Sequence, residues 1–412
     1  MRKIAILGSS HCAIKIIELL RQNNKEDVIL YINSEDSLPY NRDDFPLILK
    51  KLKTLKGIVI KPIEFFEQNN VVCHAGKKIS RVNLSKKKVF LEDKSYVDFD
   101  ILLITDFLGY KLPEIKGINK TGVYAPIHLD DISQLLQALP FIETAVIQAD
   151  GIAAFKFAEA IALKGREVII FSNRNKGLFS WFTAEDLDLV VKILSESNIQ
   201  LLQDNSIVEI LGDGELRAVR TKTGKVYACD AVIFPEVESD WRVFCDSVLN
   251  IKSGIEVNSC FRTNLDFIYA CDRAGVFNEK SEKENIISVA LLEEQSKIIV
   301  SDINKEDLVS VKAVGSDSFN IGDNSFEFVG DLFFECEEKL RFSNPSGNGF
   351  LYLYGKGDVF KSSFLLNCSK EITRKVISLI ENKDLAFSPC LSPEGKAEIE
   401  KILFADEKSV AI

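Results

Sequence analysis

Short apolar runs separated by polar turns organise the start of the chain. Lys3 to Leu7 has the length of a buried strand, and Val28 to Ile32 repeats it. Between them Ala13, Ile14, Ile16, Ile17, Leu19 and Leu20 recur at helical spacing after a Gly8-Ser9-Ser10 turn. This order predicts a strand–helix–strand unit of the kind that builds doubly wound sheets. A second such unit begins near residue 144. Ala145 to Ile147 is its strand, Gln148 to Gly151 its turn, Phe155 to Leu163 a helix closed by Gly165, and Val168 to Phe171 its next strand.

Hairpin patterns follow each unit. Lys87 to Leu91 and Tyr96 to Phe99 flank a polar Glu92-Asp93-Lys94-Ser95 turn; Ile207 to Leu211, a Gly212-Asp213-Gly214 turn, Arg217 to Thr221 and Val226 to Cys229 form the later copy. Phe267 to Cys271 reads as a late strand and Ala290 to Val300 as a helix. From about residue 306 the texture changes to short strands at Val309 to Val314, Phe326 to Leu332, Lys339 to Ser343, Phe350 to Leu353 and Ser362 to Leu366. A helix at Glu371 to Ile380 and another near Pro393 to Phe404, with Ser392 as N-cap, complete a separate α+β pattern.

Composition narrows the class. A chain of 412 residues exceeds one ordinary core, so two to four domains are expected. Hydrophobic residues are 46% and charged residues 27%, which is globular rather than disordered. No run approaches the roughly 20 apolar residues of a membrane span. The first residues lack the apolar core of a signal peptide, so a cytoplasmic location is expected. A net charge of -10 argues against nucleic acid as partner, because phosphates want a basic face. The nine cysteines show no C-x-x-C, and His11, His74 and His128 are dispersed, so no metal site is expected.

The first turn is where chemistry concentrates. Gly8-Ser9-Ser10-His11-Cys12-Ala13 reads G-x-S-x-x-A, close to the dinucleotide pattern G-x-G-x-x-G/A. There the first Gly makes the turn and the helix N-terminus faces a pyrophosphate. After the second strand come Ser34-Glu35 and Pro39-Tyr40-Asn41-Arg42. An acid at that place can accept from ribose hydroxyls, and an arginine on the next loop can pair with pyrophosphate.

These residues resemble the S-E-x-x-x-P-Y-x-R signature of the pyridine nucleotide-disulfide oxidoreductase family, in particular rubredoxin reductases, ferredoxin reductases and nitrite reductase flavoprotein domains. Asp98 to Thr105 is similar to the strand leading to the family's A-T-G, and Leu112 to Gly117 to its L-P-x-x-x-G. Ser253 to Asn258 with Phe261-Arg262-Thr263 looks like G-I-x-V-x…R-T, and Ile268 to Asp272 like I-Y-A-x-G-D. Val311 to Gly315 and Ile321-Gly322-Asp323 look like the start of the family's small final domain. The resemblance implies an α/β fold: two Rossmann-like three-layer domains, one FAD-type and one NAD-type, plus a small C-terminal α+β domain. The FAD-type domain would be discontinuous over 1–106 and 236–300, the NAD-type domain would span 107–235, and the last domain 301–412. It implies FAD held by Gly8, Ser9, Ser10, His11, Cys12, Ala13, Glu35, Arg42, Thr105 and Asp272.

Departures from the family pattern qualify the function. Asp106 stands where A-T-G has its Gly, and I-Y-A-x-G-D lacks its Gly. The lysine that the family has just after P-Y-x-R is absent from Arg42-Asp43-Asp44-Phe45-Pro46-Leu47. In the second unit the G-G-G-x-I-G pattern is Gln148-Ala149-Asp150-Gly151-Ile152-Ala153, no acid follows Phe171, and A-x-G is replaced by Phe234-Pro235-Glu236-Val237. The expected function is a FAD-dependent oxidoreductase or electron-transfer subunit whose NAD(P)H site is lost. Its partner would be a redox protein or a small-molecule electron donor. No catalytic acid, base or nucleophile is required, because a flavin carries the redox chemistry. A divergent NAD(P)H-dependent rubredoxin or ferredoxin-type reductase and a non-catalytic scaffold stay open as alternatives, as does a homo-oligomer.

Overall fold

The computed structural model describes residues 1–106, 110–163, 165–173, 178–180, 182–236, 238–244, 248–277, 288–307, 314–330, 338–345, 348–381 and 385–405. Its first sheet has five parallel strands. In spatial order they are Ile268–Ala270, Ile101–Ile104, Lys3–Leu7, Val28–Ile32 and Val71–His74. Both faces of Lys3–Leu7 are covered, and Ile4 to Leu7 are fully buried, as continuous apolar runs in parallel sheets require. Helix His11–Asn23 turns Cys12, Ala13, Ile16, Ile17 and Leu20 to this core. Helix Val289–Asn304 joins the same core through Leu292, Ile298, Ile299 and Ile303. The order of strands reverses direction at Lys3–Leu7, so a crevice opens at its C-terminal end.

The second sheet repeats the plan. Its order is Ile199–Gln203, Glu167–Ser172, Thr144–Gln148, Ala231–Ile233 and Val123–Tyr124, again all parallel. Helix Ile152–Ala162 follows its central strand, Thr144–Gln148. Each sheet has a three-stranded antiparallel companion. One comprises Ile79–Asn83, Lys88–Leu91 and Tyr96–Asp98, the other Ile207–Leu211, Ala218–Thr221 and Val226–Ala228. The expected hairpins are present; the strand Ile79–Asn83 was not anticipated. The outgoing and returning chains between the two sheets pair as Tyr110–Lys111 and Glu238–Ser239.

The third sheet is antiparallel, in the order Ser316–Ile321, Asn324–Gly330, Val359–Leu366, Phe350–Lys356 and Glu338–Ser343. One face lies under helices Lys370–Glu381 and Pro393–Phe404. The other presents aromatic rings to the second unit. Phe155 of helix Ile152–Ala162 stacks on Phe319 at 5.3 Å, and Phe182 meets Phe364 at 4.6 Å. Within the described residues the other expected strands and both helices are found, and Ser392 caps the last helix by accepting from Gly395 N. Of the strand expected at 309–314 only Val314 lies within the described residues, and of that expected at Phe326 to Leu332 the described part runs to Gly330. The α/β architecture with a final α+β layer is the one the sequence implied.

Candidate functional site

The crevice at the end of Lys3–Leu7 gathers most of the residues singled out by sequence. Gly8 adopts φ 106°, a left-handed conformation that a side chain resists. A Cβ there would meet Asp106 Cβ at 2.7 Å, so the turn and the end of Ile101–Ile104 are pressed together. Ser10 caps the helix, its hydroxyl accepting from Ala13 N at 3.3 Å. That leaves the earliest N–H groups of a 13-residue helix facing the crevice, with the positive end of its dipole. Ser9 is buried beside it.

Glu35 and Arg42, which the sequence reading assigned separately to ribose and pyrophosphate, meet each other in the structure. Arg42 donates to Asp106 Oδ1 at 3.0 Å and to Glu35 Oε1 at 3.1 Å. Tyr40 OH donates to Glu35 Oε2 at 2.6 Å, and His128 Nδ1 lies 3.0 Å from Glu35 Oε1. Burial alone would raise the Glu35 carboxyl; His128, Arg42 and Tyr40 outweigh it and hold it below its ordinary value. The carboxylate expected to oppose a phosphate, Asp106, is thus neutralised by Arg42.

Three other candidates do not face the crevice through their side chains. Cys12 is buried, with its Sγ 3.2 Å from Cys271 Sγ and 3.2 Å from Ser296 Oγ. Sequence spacing gives no hint of that cysteine pair. Thr105 spends its hydroxyl on Leu7 O at 3.2 Å. His11 is half-buried among Glu293, Glu18, Lys15 and Lys61, and burial lowers its pKa. Of His11 and Cys12, as of Ala13, only the backbone belongs to the turn.

Asp272 takes φ 54°, the left-handed backbone that the glycine of I-Y-A-x-G-D would supply. The position of that pattern's acid therefore falls to Arg273. Arg273 donates to Asp43 Oδ1 at 2.6 Å. Asp272 N donates to Gln295 Oε1 at 3.0 Å. Burial pushes the Asp272 carboxyl up to about 7, with Arg273 opposing and Asp106 and Asp43 adding to the rise. Asp272 Oδ1 and Arg42 Nε are buried with no hydrogen-bond partner. Such atoms cost roughly 1–3 kcal/mol each unless something meets them.

Tyr40, Asp106, His128 and Arg273 complete the cluster, and none was among the candidate binding residues. Tyr40 and Asp106 lay in quoted motifs. His128 carried no signal: it is the N-cap residue of helix Leu129–Ala138, and only the fold brings it to Glu35.

At the second turn Asp150 Oδ1 accepts from Ser172 Oγ at 3.2 Å and from Asn173 N at 2.7 Å. Gln148 Oε1 accepts from Ile207 N at 2.6 Å. Arg174 and Val237 lie outside the described residues. Among the described residues no cluster of His, Cys, Asp or Glu could hold a metal, and no helix is long and apolar enough to cross a membrane.

Known proteins share this arrangement. The chain is 23% identical over 270 residues to nitric oxide reductase FlRd-NAD(+) reductase of Vibrio vulnificus, covering 65% of this chain and 70% of that protein. The fold superposes on putidaredoxin reductase in its covalent complex with putidaredoxin, with a TM-score of 0.84 at 15% identity, covering 98% of this chain and 99% of the other. It also matches NADH:rubredoxin oxidoreductase from Clostridium acetobutylicum, with a TM-score of 0.70 at 19% identity, covering 97% and 99%. The family model for pyridine nucleotide-disulphide oxidoreductases matches residues 2–276, so both βαβ units and the late strand fall within one family. With a family model matching well over half of its length, the chain belongs to the pyridine nucleotide-disulphide oxidoreductase family.

Proposed function

We propose that this protein is a FAD-dependent oxidoreductase that exchanges electrons with a redox partner, and that NAD(P)H is not its donor. The observation that carries the first half is the pair of unpartnered buried atoms, Arg42 Nε and Asp272 Oδ1, flanking the Gly8 turn. Two buried polar atoms without hydrogen-bond partners, beside the N-terminus of a helix, fit a polar ligand with a pyrophosphate. A flavin seated there would supply the redox chemistry.

The chain's own residues bind and orient. The Gly8 turn gives the pyrophosphate its N–H groups, Arg42 and Arg273 offset its charge, and Glu35 accepts from the ribose. Ser9, Ser10 and the backbones of His11, Cys12 and Ala13 shape the cradle, and Thr105 fixes its floor. The domain reading follows: a discontinuous unit over 1–106 and 236–300 holds the flavin, with 107–235 inserted and 301–412 covering it. In support, Ile268–Ala270 pairs with Ile101–Ile104 in the sheet that carries Gly8. The partner that exchanges electrons with the flavin is proposed to be a small redox protein, as in the names of several relatives.

The second half rests on the departures of the second turn. Asp150 brings a carboxylate where a glycine is expected, and its contacts with Ser172 and Asn173 fill the place of the missing ribose acid. The test has two steps. The purified protein should carry flavin absorbance, and anaerobic NADH or NADPH should leave that absorbance unchanged while a reduced partner protein bleaches it. Rapid, saturable bleaching by micromolar NADH would return the divergent NAD(P)H-dependent reductase to first place. A protein that neither retains nor takes up flavin would point to the scaffold.

A further inference from the structure

The second turn carries an anion of its own. Helix Ile152–Ala162 starts at Gly151 with no capping side chain at that position and no acid in its first turn. Instead, Asp150 N donates to Glu236 Oε2 at 3.1 Å and Gly151 N donates to Glu236 Oε1 at 2.9 Å. Glu236 lies just past Ala231–Ile233, the neighbour of Thr144–Gln148 in the sheet, so it reaches across from the adjacent strand end. A Cβ on Gly151 would collide with Glu236 Oε1, so the glycine is needed by the carboxylate itself. Two N–H groups on the two oxygens of one carboxylate are the contacts a phosphate takes at such a place.

We propose that Glu236 is the residue that closes the second turn to dinucleotides, by supplying within the chain the two anionic oxygens that a pyrophosphate would bring. The inference rests on the reading that this unit does not take NAD(P)H, and it names the cause. Glu236 is tethered, so its local concentration at the turn far exceeds that of a free ligand. An incoming pyrophosphate must displace it and then tolerate its charge. Asp150 holds the second anchor point by its bonds to Ser172 and Asn173. ADP brings the pyrophosphate without the nicotinamide half, so opening the pyrophosphate position should raise ADP affinity first.

ADP and NADH would be titrated calorimetrically into the full-length wild-type protein, Glu236→Ala and Glu236→Gln, with FAD in excess so that the first turn is not available. Thermal melts establish that each variant is folded. Glu236→Ala should gain at least tenfold in ADP affinity over the wild type. Glu236→Gln, which keeps one acceptor but no charge, should gain less. Adding Asp150→Gly to Glu236→Ala should extend the gain to NADH. Folded variants as indifferent to ADP as the wild type overturn the role of Glu236 and leave the functional reading standing. If Glu236→Ala does not fold, Glu236→Gln decides on the same terms. Micromolar NADH binding by the wild type overturns both, and that failure is seen without any variant.

Discussion

Asp272 is the residue whose charge the fold controls most directly. In an unfolded chain its carboxyl would ionise near 3.9. In the folded protein burial moves it to about 7. The folded state therefore holds a proton that the unfolded state has already lost, so this contribution is complete below about pH 4 and disappears as pH rises through 7. Melting temperature should fall between about pH 4 and 7, and Asp272→Asn should flatten that fall. The same sign applies to flavin: the ionised carboxylate repels a pyrophosphate, so retention should weaken as pH rises through about 7, in the wild type only. Melts and flavin release followed across pH check both, and a pH-dependence identical in Asp272→Asn would exclude this carboxyl as the cause. Glu35 gives a second test. Glu35→Ala should weaken flavin retention by about 1–3 kcal/mol, the worth of a charged hydrogen bond. It also removes a partner of Arg42 and Tyr40, so fluorescence titration with FAD should be paired with a melt. Unchanged affinity in a folded variant would move the ribose elsewhere.

Among the elements, helix Ala184–Glu196 shows how the final sheet is fastened. Asp186 sits in its first turn, where Thr183 caps the helix. Arg341 grips both Asp186 oxygens, Nε to Oδ2 and Nη2 to Oδ1, each at 2.7 Å, and Tyr352 OH donates to Oδ2 at 2.6 Å. Burial would raise this carboxyl, but Arg341, Tyr352 and Thr183 hold it below its ordinary value. Asp186→Ala removes the shared acceptor of Arg341 and Tyr352; because Arg341 stays solvated, it should cost about 1–3 kcal/mol in urea unfolding. Asp186→Asn should cost less; equal stability of both variants with the wild type would deny the fastening. This helix had a sequence signal, Thr183 three residues before Asp186, that the apolar pattern alone did not reveal. The parallel strands were legible because each is a continuous apolar run buried on both faces. Ile79–Asn83 and Ser316–Ile321 were not: both are largely polar, and Ser316–Ile321 is an edge strand burying only Phe319 and Ile321. At the site, Glu35 and Arg42 could be found because they sit at fixed distances from a strand. The partners His128 and Arg273 could not, because only the tertiary fold brings them to that loop.

At the scale of the whole molecule, the three sheets are not independent bodies. Phe155 and Phe157 of the second unit share one core with Phe319, Phe326, Phe328, Phe350, Tyr352 and Phe364 of the third sheet. Lys156 reaches Asp317 across the same seam. A chain ending at Lys305 would uncover this aromatic face, and a large apolar patch invites association. Such a truncation should aggregate in sedimentation or melt well below the full-length protein. A soluble fragment with an unchanged melt would mean that the third sheet is an ornament rather than a cover.

The strand Ile268–Ala270 also sets a schedule for synthesis. The second sheet has all its strands once Ile233 has left the ribosome, whereas the first must wait for Ala270. The later-encoded unit can therefore mature before the one that begins the chain. Closing so wide an excursion adds little to the thermodynamic cost, since that grows only with the logarithm of its length. It delays the arrival of native pairing instead. Until then Ile101–Ile104 stands as an open edge, the kind of template on which nascent chains pair wrongly. At four residues that edge is short, which limits the grip that a wrong partner can gain while the right one is still being made.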